Sequence, residues 1–306
     1  MNVREWALPV YTILLQLAVG ALLGLWLIRA VGIRQHGRSV TDHIIRIPVL
    51  AVFLTIIAAI IGSHFHLSHP IFSLLATLNL RSSWLSREIL FTISFFLLVS
   101  GIAYTQWFTY GHSRLITVLG WLALLMGSLS IYCMSHIYLL PTHSSWNSSL
   151  TIISFLLSAV VLGVTAVAVL LVMDLKVSEV AGAADTAVRR AIVHQSFVWL
   201  AGVAAGTAVI TLILNLILIM MLSQGELSAL TSLFLLLGLY QPLFGLRYIA
   251  LFTGVGWFGL TAYMLLHNRK PKFEMTTTIY LACLLVLISE ILGRFLFYAT
   301  HVRTGI

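Results

Sequence analysis

The sequence predicts an all-α, polytopic integral membrane protein with eight transmembrane helices and both termini on the periplasmic side. Three observations carry that expectation: the composition, the number of long apolar runs, and the uneven placement of lysine and arginine. Of the 306 residues, 60% are hydrophobic and 8% charged, and the mean hydropathy is +1.05. A water-soluble core does not need that much apolar surface, whereas bilayer-spanning helices do. The net charge of +8 does not point to nucleic acid, because the basic residues are scattered between apolar runs. Cys133 and Cys283 both lie within apolar segments, which leaves neither a disulfide framework nor a Cys-rich metal site.

Taken in order, the first run, Ala7–Ala30, is long enough to cross the hydrocarbon at about 1.5 Å per residue. It is too long for the apolar region of a signal peptide and no small-residue cleavage site follows it, so it counts as a span. The later spans are Ile44–Ser63, Ser86–Thr109, Leu115–Tyr138, Leu150–Met173, Gln195–Leu222, Leu246–His267 and Thr276–Thr300. Leu227–Gly245 is apolar but interrupted by Gly238, Pro242 and Gly245, and reads as an interfacial or re-entrant piece. With no internal repeat and no low-complexity linker, residues 1–306 read as a single integral-membrane domain.

Orientation follows from the basic residues. One set of loops and helix ends holds eleven: Arg29, Arg34, Arg38, Arg46, Arg114, Lys176, Arg189, Arg190, Arg269, Lys270 and Lys272. The opposite set holds Arg4, Arg81, Arg87, Arg247 and Arg303, with Arg294 inside the last span. Positive charge stays cytoplasmic, so both termini are expected outside. In a bacterium this places the chain in the cytoplasmic membrane and its termini in the periplasm.

That topology gathers the unusual residues at one end. Ile61–Glu88 alone holds His64, His66, His69, Asn79, Arg81, Arg87 and Glu88. His136 and Tyr138 close the fourth span on the same side, Arg247 opens the seventh, and Glu290 and Arg294 lie in the outer part of the eighth. An ionised group at the bilayer centre costs roughly 2.5–3.5 kcal/mol, so such residues face the protein interior and find partners. Glu290 and Arg294 are four apart on one helical face with the acid first, the favourable order for an ion pair. Glu88 has two readings. It is a first-turn carboxylate favoured by the helix macrodipole, with Ser83 or Ser86 as cap, or it is part of a proton-handling site.

The chain resembles the membrane-anchor subunit of bacterial dimethyl sulfoxide reductase, within the wider group of polysulfide-reductase-type quinol-interacting membrane subunits. The likeness runs over nearly the whole chain. It begins at Glu5-Trp6, Pro9, Thr12 and Gln16, and continues through His66-Leu67, Pro70, Leu78-Asn79, Ser86, Glu88-Ile89, Tyr138 and Pro141-Thr142. It closes with Glu290-Ile291-Leu292-Gly293-Arg294, Phe297-Tyr298, His301 and Gly305. The resemblance implies an anchor that oxidises menaquinol drawn from the membrane quinone pool. Its electrons pass to an iron–sulfur subunit, which in turn serves a molybdopterin-bearing catalytic subunit. It also implies that this chain itself carries neither haem nor an iron–sulfur cluster. Carried over by position, the family's quinol-site residues fall on His66 and Glu88, with His64, Asn79, Arg81, His136, Tyr138, Arg247, Glu290 and Arg294 as further pocket candidates. The chain departs from the family pattern at Ser68-His69, where Gly-Ser is usual before the proline, at Leu80, which displaces the arginine to Arg81, and at His136.

The residue types suit the chemistry. Quinol oxidation releases two electrons and two protons, and a histidine with an ordinary pKa of about 6.5 can take a phenolic proton without a large shift. A partly buried glutamate can relay it onward. Two alternatives belong to other classes. A haem-bearing subunit would use His64 or His66 together with His136 as axial ligands. A secondary transporter would need a midplane site on broken helices, whereas the charges here crowd one end.

Overall fold

A computed structural model describes residues 3–66, 78–109, 111–267 and 275–303, with the backbone alone at 3–5, 65–66 and 275. Eight helices long and apolar enough to cross a membrane are present among these residues. They are α1 (Val3–His36), α3 (Arg46–His66), α4 (Trp84–Phe108), α5 (Ser113–His136), α6 (Ser149–Val180), α7 (Thr186–Ser223), α9 (Gln241–Leu266) and α10 (Met275–Ala299). Two short helices sit at bundle ends: α2 (Arg38–Ile44) after α1, and α8 (Leu227–Phe234) before α9. Eight crossings bring the start of α1 and the end of α10 to the same end of the bundle. No strand occurs among the described residues, although an isolated bridge ties His143 to Arg303 at that end.

The spans expected from sequence are all present, and they are longer than their apolar cores. Helices α6 and α7 have 32 and 38 residues, about 48 and 57 Å, against a hydrocarbon layer of about 30 Å. The excess lies at the end shared by the α1 C-terminus, α2, the α6 C-terminus and the α7 N-terminus. Hydropathy stops at the first charged residues, but the backbone hydrogen-bond ladder runs on. The Leu227–Gly245 stretch resolves into two parts. Leu227–Leu239 is a short apolar helix whose last turn, Leu235–Leu239, is π-helical. At about 20 Å it cannot cross the hydrocarbon, which agrees with the non-spanning assignment. Gly245, in contrast, lies inside α9, which starts at Gln241 and accepts Pro242 in its first turn, where the missing N–H is no loss.

Helix α1 is the central mast. Its most apolar window is 78% buried, against 22% for the lipid-facing α7. Between helices surrounded by lipid tails, close packing rather than water exclusion holds the contact, and small residues permit it. At Gly20 and Gly163 the α1 and α6 backbones touch: a Cβ on Gly20 would stand 1.8 Å from the Ala159 carbonyl oxygen, and one on Gly163 would stand 2.1 Å from the Gly20 carbonyl carbon. Around this crossing Leu15, Ala18, Leu22, Leu25 and Phe155 are fully buried.

Charge is also buried at the end carrying α2. Arg29 of α1, 2% exposed, donates from Nε to Asp42 (2.7 Å) and from Nη1 to the Thr117 hydroxyl (2.8 Å). Arg189 of α7 bridges Asp174 of α6 and Asp185 of the α6–α7 loop, and its Nη2 lies 3.0 Å from His43 Nδ1. The Arg189 hydrogen bond, working against burial, holds the Asp185 carboxyl below the usual carboxylate range. Arg29 and Arg189 entered the sequence reading only as topology markers, and their acidic partners did not enter it. The structure makes them ties between helix ends.

Candidate functional site

The opposite end of the bundle holds the polar residues that the sequence singled out. Helix α4 begins at Trp84 with Ser83 as its N-cap, whose side chain accepts from the Ser86 amide at 3.2 Å. Glu88 therefore falls beyond the first turn, where the macrodipole has little hold. Its carboxylate has another partner. Glu88 is 3% exposed, and the Tyr11 hydroxyl of α1 donates to its Oε1 at 2.8 Å. The same hydroxyl lies 3.3 Å from Thr92 Oγ1, which lies 2.6 Å from Ser130 Oγ of α5. Tyr11 has one proton and gives it to Glu88, so Thr92 donates to Tyr11 and Ser130 to Thr92. A directed row of three hydroxyls thus ends on a buried carboxylate.

A second buried group adjoins it. Tyr138, in the loop after α5, shares a 2.7 Å hydrogen bond with Tyr298 of α10. Burial first, then the neighbouring Tyr298 and the Glu88 charge, push the Tyr138 hydroxyl well above the usual tyrosine range, so it stays protonated. Arg294, 6% exposed, was expected to pair with Glu290. It does not: its Nη2 donates to Gln16 Oε1 of α1 at 3.0 Å, and its guanidinium lies 3.8 Å above the Phe155 ring. Gln16 in turn donates to the Phe155 carbonyl at 3.2 Å. The guanidinium thus sits between an amide oxygen and an aromatic face, a cation–π seat contributed by α1 and α6 and not by its own helix. Glu290 is also buried and faces a cavity of ≈ 90 Å³ between α6, α7, α9 and α10, which Arg247, Arg294 and Asn215 also line.

The remaining candidates are placed differently. Asn79 is exposed and its side-chain oxygen accepts from Ser82, which shapes the turn before α4. Arg81 is exposed, and its carbonyl accepts from Arg87, whose guanidinium covers Trp84. His64 is exposed and donates from Nδ1 to the Ile60 carbonyl of its own helix at 2.7 Å. His136 donates to the Tyr132 carbonyl and packs against Trp84 and Tyr132. Neither lines the cavity. His66 is the last residue of α3, at this same end, but its side chain lies outside the described residues, as do His69 and Pro70.

The family model for the DMSO reductase anchor subunit, DmsC, matches residues 1–300. The chain belongs to the DmsC family. A search of the curated proteins gives no match. As an anchor subunit it is a multi-pass membrane protein, in bacteria of the inner membrane, and the family implies partner catalytic and electron-transfer subunits of DMSO reductase.

Sequence reasoning found Glu88, Tyr138, Glu290 and Arg294, but missed Tyr11, Thr92, Ser130, Tyr298 and the role of Gln16. Hydroxyl residues inside an apolar run carry no signal of their own. Their contacts appear only in the folded bundle, where Tyr11 and Glu88, 77 residues apart in sequence, meet. Chemically, the site offers a carboxylate held by a hydroxyl instead of a cation, an arrangement that can accept and release a proton without breaking an ion pair.

Proposed function

We propose that this anchor subunit oxidises menaquinol at the bundle end formed by α1, the end of α3, α4 and α5, and passes the electrons to an iron–sulfur subunit docked on that face. The observation that carries the reading is the buried Glu88 carboxylate, hydrogen-bonded by Tyr11 at 2.8 Å and, among the described residues, without an ion-pair partner. Oxidation of one quinol gives one quinone, two electrons and two protons. In this reading His66 is the first acceptor of each of the two phenolic protons in turn, and Glu88 relays each toward the aqueous face, with Tyr11 stabilising its ionised form. Apolar walls of neighbouring helices hold the ring and the isoprenoid tail. With two cysteines the chain cannot supply the four thiolates an iron–sulfur cluster needs, so the electrons leave for a partner that carries such clusters and feeds a molybdopterin-bearing catalytic subunit.

The test compares quinol-driven reduction of the terminal substrate by the intact complex with reduction driven by a dye that feeds the extrinsic subunits directly. Glu88→Gln keeps size and hydrogen bonding while removing the titratable oxygen. Together with His66→Phe it should lose most quinol-driven turnover with dye-driven turnover intact. Tyr11→Phe should give an intermediate loss, since a hydrogen bond to a charged group contributes about 1.5–3 kcal/mol. Unchanged quinol turnover in both Glu88→Gln and His66→Phe would place the site elsewhere.

A further inference from the structure

The cavity between α6, α7, α9 and α10 is not needed for the Glu88 chemistry, and its charges do not balance. Arg247 and Arg294 face it with Glu290 as the one carboxylate among the described residues of its lining, which leaves one positive charge over. Arg294 is satisfied by the neutral Gln16, and Arg247 lies flat on α10, where a Cβ at Gly293 would stand 2.7 Å from its guanidinium carbon. Three further groups there are buried without partners among the described residues: the Arg247 Nε and the hydroxyls of Ser148 and of Ser145, a residue 8% exposed. An uncompensated guanidinium and orphaned donors at the edge of a bilayer are costly, and a single anion removes both costs. The other wall is apolar. Leu214, Leu218 and Leu222 follow one another at intervals of four along α7, the helix least buried in the bundle.

We propose that this cavity is a lipid site that seats one phosphodiester headgroup against Arg247, Arg294 and Ser145 and lays an acyl chain along Leu214, Leu218 and Leu222. A phosphodiester carries one negative charge, which matches the excess. Its oxygens accept from guanidinium and hydroxyl donors together, and its glycerol leads naturally from the polar wall to the leucine stripe. The cavity has room for roughly six to nine waters, which the headgroup would displace.

The experiment uses the intact complex, delipidated in detergent and then exposed to phosphatidylglycerol, to diacylglycerol of the same chains, or to inorganic phosphate alone. Lipid retained on the anchor subunit is read by native mass spectrometry. Phosphatidylglycerol should be retained and diacylglycerol washed away, and inorganic phosphate should not displace the bound lipid. Arg247→Gln should weaken retention by roughly tenfold to a hundredfold, the loss expected for hydrogen bonds to a charged group. Leu218→Trp, which fills the chain groove and leaves the arginines alone, should weaken it as well. Equal retention of phosphatidylglycerol and diacylglycerol, displacement by inorganic phosphate, or wild-type retention in both variants would each overturn the proposal.

Discussion

Removing Arg189 alone should destabilise the subunit more than removing Arg189 and Asp174 together. The side chains of Arg189 and Asp174 are 4% and 2% exposed, and the second Asp174 oxygen, Oδ1, already lacks a partner. Truncating the arginine leaves a buried carboxylate with nothing to offset its lost hydration, a change that costs about 3–5 kcal/mol. Asp185, 22% exposed, can recover water, so its loss adds only about 1 kcal/mol or less. Replacing both ions by apolar residues of similar volume, Arg189→Met with Asp174→Leu, is neutral or stabilising by about 1–4 kcal/mol in comparable cases. Thermal unfolding of the purified subunit in detergent, followed by tryptophan fluorescence, would measure the single variants and the double variant as a cycle. The expected order places Arg189→Ala lowest, with the double variant at or above the wild type. A double variant as unstable as Arg189→Ala, or an Arg189→Ala within about 1 kcal/mol of wild type, would refute the buried-pair reasoning.

Three further outcomes follow from the same structure. Gly163→Val drives its side chain into the α1 backbone at Gly20 and should prevent accumulation of folded subunit, whereas Gly206→Ala, where an added Cβ meets nothing within 4 Å, should express normally; immunoblots of membranes decide it. Because Arg189 lowers the folded-state pKa of Asp185 beneath its unfolded value of about 3.9, the ionised group stabilises the fold above that pH, and the benefit is lost as pH falls through the folded value. The difference in unfolding temperature between wild type and Asp185→Asn should therefore be constant near neutrality and close below about pH 4. Reporter fusions after Gly182 should report cytoplasm and fusions after Thr142 and at the C-terminus should report periplasm; a cytoplasmic C-terminus would overturn the orientation drawn from charge.

The eight crossings were legible because bilayer crossing demands a long apolar run, and hydropathy registers that directly. The convergence of Glu88, Tyr138, Glu290 and Arg294 was legible for a related reason: alternate spans reverse direction, so counting spans fixes which helix ends meet. What could not be read was pairing. The four-residue interval between Glu290 and Arg294 shows that they share a face, but it says nothing of Gln16, which comes from a helix at the other end of the chain and takes the guanidinium. Tyr11 is one aromatic in an apolar run, and only the folded bundle brings its hydroxyl to Glu88. One signal was available and unused. The chain has 9 acidic residues, and Asp42, Asp174 and Asp185 stand in or beside helix ends at the side of the bundle that also carries Arg29 and Arg189. With so few carboxylates, each one near a span end is a candidate partner for a cation.

The two ends of the bundle spend their charges differently, and the difference bears on where chemistry can occur. At the α2 end, Arg29 meets Asp42, and Arg189 meets Asp174 and Asp185. Each of these buried charges is met by an opposite charge, so moving a proton among them would break an ion pair and expose a buried ion. At the other end the Glu88 carboxylate meets the Tyr11 hydroxyl, and the Arg294 guanidinium meets the Gln16 amide oxygen and the Phe155 ring. Dipoles hold these ions in place without cancelling them. A carboxylate solvated by a hydroxyl can take a proton and keep its hydrogen bond, with the hydroxyl turning from donor to acceptor. A paired carboxylate has no such option. Under the proposed function, the end whose charges rest on neutral partners is the one that would accept protons from a membrane-borne donor, while the buried ion pairs of the other end tie helices together.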